Sequence, residues 1–319
     1  MELAIPMDPI MDAIQRTAAR AGRGLIVPLL TPLAADGENL DIPALETLTE
    51  FVIRSGAQGL TTCGTTGEFA LLKHTERRQV TEVVVKLAAG RVPVVAQTGA
   101  ITTAETIALT RHAHECGADA ASVVTPYFYG VTDQALVAHY EAVSGAVPDF
   151  PLFLYNIPQR AGNNLSPAVV AEITRRCPNV MGIKDSSGNL GQLAQERMLI
   201  NRRFYTLVGS DHLILAGIAN GADGAVAGNA NVFPEPFVAL FKALADGDWA
   251  AASAFQDKVT IGAGILGNAA DLSLFKGVLR RRGLDTGPVR HPLLTASEQE
   301  VDRCVDAMQA AGIDLSRIV

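Results

Sequence analysis

The chain has 319 residues, 48% of them hydrophobic, and a formal net charge of -7 with no basic block. That length suits one large core or two small ones, since α/β barrels commonly run to ~250 residues or more as a single domain. The charge excludes nucleic acid and anionic membrane as the main partner and leaves small molecules as the default.

Residues 1–23 form an N-terminal segment with Met1, Met7 and Met11 as possible starts, read either as a short helix or as lacking fixed structure. It has no basic stretch followed by an apolar core, and no uninterrupted apolar run anywhere is long enough to span a bilayer, so a cytoplasmic protein is expected. Short apolar runs then recur between helical patterns, at 25–30, 59–63, 92–98, 121–125, 151–156, 180–185, 205–210 and 224–228. They lack polar alternation, as parallel strands covered on both faces do. Between the first two, Leu45, Leu48, Phe51 and Val52 share one helical face. Thr102 with Glu105 reads as a capping box, and Ser166-Pro167 as a cap followed by proline. Three helix exits rhyme: Gly56-Ala57-Gln58-Gly59, Gly117-Ala118-Asp119-Ala120 and Gly221-Ala222-Asp223-Gly224 each run from a glycine into an apolar stretch. After Asn231 the pattern changes, and 234–246, 248–266, 272–282 and 296–311 all read as helix. Periodicity alone does not separate a closed barrel from a doubly wound open sheet. The strand count favours an α/β fold of the (β/α)8 TIM-barrel type over 24–233, with a C-terminal helical region over 234–319 packed on it.

In such a barrel the chemistry sits at the C-terminal ends of the strands, and the polar residues collect there. Strand two leads into Gly64-Thr65-Thr66-Gly67-Glu68, strand four into Pro126-Tyr127, strand five into Tyr155-Asn156, and strand seven into Ser210-Asp211. Strand six carries Lys184, one of six lysines against twenty arginines. A buried ammonium is costly unless paired, neutralised or used. Lys184 is either a rim lysine paired with Asp185 or the amine of an imine enzyme, which attacks a ketone and turns it into an electron sink. Lys276 is the second candidate, with a solvated or snorkelling helix lysine as its expected fate. The Gly-Thr-Thr-Gly run lacks the ending of a P-loop. His112 and His114 fall on different helix faces, and Cys63, Cys116, Cys177 and Cys304 show no ligand spacing, so no metal site is expected.

Taken in order, Gly64-Thr65-Thr66-Gly67-Glu68, Tyr155-Asn156-Ile157-Pro158, Gly182-Ile183-Lys184-Asp185 and Gly228-Asn229-Ala230-Asn231-Val232 resemble the dihydrodipicolinate synthase and N-acetylneuraminate lyase family over roughly residues 24 to 310. The resemblance implies a pyruvate-handling class I aldolase that works through a lysine Schiff base with no cofactor. It makes Lys184 the Schiff-base lysine and Tyr155 the proton shuttle. Thr65 and Thr66 then hold the pyruvate carboxylate, with Gly64 in the same turn, and Thr65 also joins the relay. Val226 directs a backbone carbonyl at the site, and Arg160 holds the carboxylate of a second substrate at the entrance.

Synthases of the family carry a second relay tyrosine, lent across a dimer interface, and its match here is Phe128; Tyr127 or Tyr129 is the available substitute, and Tyr127 is also expected among the substrate-binding residues. Ile101 stands where a lysine-feedback site has an asparagine, although His74 and Glu105 match two other positions of that site. The stretch from Gly209-Ser210-Asp211 to Glu235 looks more like the 2-keto-3-deoxy sugar acid aldolases and dehydratases. The resulting expectation is a lyase of such an acid with pyruvate as keto partner. The alternative is a synthase condensing pyruvate with aspartate semialdehyde, and the remote one a non-catalytic keto-acid-binding barrel. The family also implies a homotetramer built as a dimer of dimers.

Overall fold

A computed structural model describes residues 9–267 and 271–318; Met1, Met7 and Val319 lie outside the described residues. Eight parallel strands close into a barrel in chain order: β1 (Gly24–Pro28), β2 (Gly59–Thr62), β3 (Val94–Gln97), β4 (Ala120–Val124), β5 (Leu152–Asn156), β6 (Val180–Asp185), β7 (Tyr205–Val208) and β8 (Gly224–Val226), with β8 paired to β1. Apart from Gly24, every strand residue is buried, because the barrel interior covers one face and helices cover the other. This double coverage is why the runs carry no polar alternation.

Helix α1 (Pro9–Ala21) precedes the barrel. Around it run α2 (Ile42–Arg54), α3 (His74–Ala88), α4 (Thr103–Glu115), α5 (Asp133–Ala146), α6 (Pro158–Ala161), α7 (Pro167–Arg176), α8 (Leu190–Leu199) and α9 (Ile214–Ala219). Asp41, Thr102, Thr132, Ser166 and Asn189 cap five of them by accepting from backbone amides of the first turn. At Thr102 the reciprocal bond of a capping box is altered: its hydroxyl, not its amide, donates to Glu105, at 2.8 Å. The rhyming exits have a conformational cause. Gly56, Gly117 and Gly221 have φ of 100°, 88° and 91°, a region that costs any residue with a Cβ.

Within the N-terminal segment, residues 9–21 take the helical alternative for a reason of packing. Ile14, Ala18 and Ala21 share one face of α1 and meet the bottom layer of the barrel interior, including Val95, Phe153, Met181 and Tyr205. The helix plugs the N-terminal mouth, and the opposite mouth stays open for chemistry.

After β8 the chain forms α10 (Pro234–Ala245), α11 (Trp249–Ile265), α12 (Leu272–Arg281) and α13 (Glu298–Ala310). They brace the open mouth. Gln256 on α11 donates to the carbonyl of Asp211 at 3.0 Å and accepts from the Leu215 amide at 2.9 Å. On α12, Lys276 is buried, contrary to the solvated fate expected for it. Its Nζ pairs with Glu68 at 2.8 Å and donates to the carbonyls of Thr31 and Pro288 at 2.9 and 2.7 Å. Glu68 has a left-handed φ of 58° and also accepts from the Arg290 amide at 2.8 Å. A sequence reading had no partner to give Lys276, because Glu68 lies more than two hundred residues earlier in the chain.

Candidate active site

Tyr155 and Lys184 are register partners on the neighbouring strands β5 and β6. Side chains alternate along a strand, so these two point into the barrel while Asn156 and Asp185 point out toward the helices. The Lys184 Nζ lies 4.1 Å from the centre of the Tyr155 ring, a contact of cation and aromatic face. The Tyr155 hydroxyl lies 3.0 Å from Thr65 Oγ1. Both strand residues are buried, Tyr155 at 2% exposure and Lys184 at 9%.

Lys184 has no ion pair or hydrogen bond among the described residues. Pairing with Asp185, one of the two readings of the sequence, does not occur, because Asp185 is on the opposite face of the strand. Its carboxylate accepts from Asn156 Nδ2 at 2.8 Å, from the Ser187 amide at 2.8 Å and from Gln192 Nε2 at 3.2 Å. Of the six lysines, Lys73, Lys86, Lys242 and Lys258 are exposed, and Lys276 is buried but paired. Lys184 alone is buried and unpaired, the state in which an amine is available for use.

Around it lies a cavity of about 280 Å³ lined by Thr65, Thr66, Tyr155, Arg160, Lys184 and Val226, six of the eight expected site residues. Gly64 shapes the turn behind them, its carbonyl accepting from the Gly67 amide at 3.0 Å. Tyr127 lines a second cavity of about 710 Å³, which shares Thr65, Ile157 and Arg160 with the first. Arg160 therefore stands at the junction of the two. Tyr127 packs edge-on against Phe69 with ring centres 5.6 Å apart. Phe128 is 81% exposed with a left-handed φ of 77°, and lines neither cavity.

Asp211 was legible only as the polar end of strand seven. It lines the smaller cavity and accepts from the Asn229 amide and side chain at 3.0 and 2.6 Å. Burial lifts its carboxyl above the usual carboxylate range, while the Asn229 bonds and the Lys184 charge pull it down. Asp211 meets Lys184 because β7 pairs with β6, and no spacing in the sequence encodes that contact. Among the described residues, no three His, Cys, Asp or Glu side chains are grouped to hold a metal ion.

A buried lysine over a tyrosine whose hydroxyl meets a threonine, in the C-terminal mouth of a (β/α)8 barrel, marks an enzyme of the class I aldolase type, a lyase. The chain belongs to the dihydrodipicolinate synthetase family, whose model matches residues 21–311. It is 39% identical over 290 residues to the 4-hydroxy-tetrahydrodipicolinate synthase of Rhizobium meliloti, covering 91% of this chain and 98% of that one. The enzyme of the same description from Methylococcus capsulatus is 39% identical over 293 residues, covering 91% and 99%. Among solved structures, the chloride-inhibited dihydrodipicolinate synthase from Acinetobacter baumannii complexed with pyruvate has a TM-score of 0.86 at 33% identity, covering 92% of this chain and 100% of that one.

Proposed function

We propose that the protein is a 4-hydroxy-tetrahydrodipicolinate synthase, condensing pyruvate with aspartate semialdehyde through an imine on Lys184, without a further cofactor. The curated relatives carry that name across almost their full length, which favours the synthase over the keto-deoxy sugar acid lyase. The observation that carries the mechanism is the buried, unpaired Lys184 against Tyr155. Its amine attacks the pyruvate ketone and expels water, giving an iminium. Loss of a proton from the methyl carbon gives an enamine, which forms a carbon-carbon bond to the aldehyde. The semialdehyde's own amine then displaces the lysine and closes the ring.

Each neighbour has a task in this scheme. Tyr155, bonded to Thr65, carries protons between the reacting carbon or oxygen and the mouth. Thr66, Thr65 and the amides of the Gly64 turn suit the pyruvate carboxylate, and Val226, which lines the same cavity, suits the iminium through its carbonyl. Arg160, at the junction of the cavities, suits the semialdehyde carboxylate, with Tyr127 beside it. The cytoplasm is the proposed compartment and a homotetramer the proposed assembly, which would cover the exposed Phe128 and Tyr129.

A sugar-acid lyase is the second reading, favoured by two observations. Phe128 offers no relay hydroxyl, and Asp211 presents a carboxyl to the cavity where substrate hydroxyls could bond. Purified enzyme given pyruvate with aspartate semialdehyde, and separately 2-keto-3-deoxygluconate, decides between them. The synthase reading expects turnover of the first pair at least tenfold above cleavage of the second; the reverse ratio would overturn it.

A further inference from the structure

Behind the barrel wall the outward residues next to Lys184 and Tyr155 are joined in a closed circuit. Asn156 Nδ2 donates to Asp185 Oδ2 at 2.8 Å and to Asn164 Oδ1 at 2.9 Å. Asn164 Nδ2 donates to Gln192 Oε1 at 3.2 Å, and Gln192 Nε2 returns to Asp185 Oδ2 at 3.2 Å. Asn156, Asp185 and Gln192 are buried, while Asn164 lies at the exposed edge. We propose that Asn156, Asp185, Gln192 and Asn164 form a positioning ring that fixes Lys184 relative to Tyr155, with the Asn156–Asp185 bond as its central link.

Three features make this more than general stability. The ring is attached one residue beyond each reacting side chain, at matched register: Tyr155 is opposite Lys184, and Asn156 is opposite Asp185. Past that point the β5–β6 and β6–β7 pairings are continued, among the described residues, by one backbone bond each, from the Ser186 amide to the Asn156 carbonyl at 2.8 Å and from the Gly209 amide to the Asp185 carbonyl at 2.7 Å. The ring also ties in the loop after β5, since Asn156 Oδ1 accepts from the Leu165 amide at 3.0 Å and Gln192 Nε2 donates to the Leu165 carbonyl at 3.0 Å. Its central bond is charge-assisted and shielded from water, the setting in which such a bond is strongest and most directional. Misplacing a reacting group by a fraction of an ångström is costly in rate even when the fold survives.

The inference rests on the reading of Lys184 as the imine lysine, and the test separates the two. At saturating pyruvate, the rate of the borohydride-trapped adduct on Lys184 is measured by mass, beside the thermal midpoint. The enzymes compared are the wild type, Asn164→Ala, Asp185→Asn, and the swap Asn156→Asp with Asp185→Asn, which restores an amide-carboxylate bond between the strands. The ring predicts trapping slowed about tenfold or more in Asp185→Asn and about threefold in Asn164→Ala, with the swap recovering most of the loss. Single variants that trap at the wild-type rate while melting earlier, or a swap no faster than Asp185→Asn, would overturn the ring and leave Lys184 in its role. A wild-type enzyme with no adduct on Lys184 would overturn the reading beneath it. Should Asp185→Asn not fold, Asn164→Ala decides the question, because it gives up two ring bonds at the exposed edge without burying a new group.

Discussion

Lys184 and Tyr155 face each other across adjacent strands at matched register, with the ammonium 4.1 Å from the ring centre. Their separation is therefore set by the sheet ladder and not by a flexible loop. The Tyr155 hydroxyl, turned to Thr65, belongs to a different contact from its ring, and the two parts of the side chain are separable by mutation.

Tyr155→Phe keeps the ring under Lys184 and removes the hydroxyl. The expected outcome is a fall in kcat of roughly 10²-fold or more, the usual worth of a positioned proton carrier, with the thermal midpoint nearly unchanged. Thr65→Val breaks the same 3.0 Å contact from the other side. Combined, the two lose little beyond either alone, since they serve one relay; steady-state kinetics on the three variants check this.

The two buried lysines respond to removal in opposite ways. Lys276→Ala leaves Glu68 buried without its ion partner and is expected to cost about 3–5 kcal/mol of stability. Lys184→Ala breaks no ion pair, so it leaves stability unchanged or raised while abolishing turnover. Denaturant melts of both variants test the contrast, and equal losses would contradict it.

Glu196 on α8 gives a pH signature. Burial first, then the Asp185 charge, push its carboxyl up to about 8 from an ordinary 4.5. Between those values the unfolded chain releases a proton that the folded protein keeps, so its contribution is fully present below pH 4.5 and is lost as pH rises toward about 8. Glu196→Gln removes the linkage. Its thermal midpoint should gain on the wild type from pH 5 to pH 8, and a difference independent of pH would refute the assignment.

Gly228 has helical backbone angles, φ -68° and ψ -41°, which alanine adopts readily. A Cβ there would stand 3.0 Å from Thr66 Oγ1. Gly228→Ala should therefore displace the Thr66 hydroxyl and raise the pyruvate KM several-fold without unfolding the protein. Kinetics at varied pyruvate give the answer.

The strands and the C-terminal helices were legible because each needs only local information: a short apolar run, a capping residue, an exit glycine. Lys184, Tyr155, Thr65 and Thr66 were legible because each sits at a strand end, where barrel topology makes position informative. Asp211 beside Lys184, Glu68 beneath Lys276 and the ring from Asn156 to Gln192 were not. In each of these the partners come from different strands, helices or loops and meet only when the chain folds. The N-terminal helix was ambiguous for a related reason, since its small apolar face has meaning only against the barrel floor that it fills.

The most direct test of the central claim is to incubate the enzyme with pyruvate, reduce with borohydride, and map the modified peptide by mass. The imine mechanism predicts a single pyruvate adduct, on Lys184. An adduct on Lys276, or none at all, would contradict it.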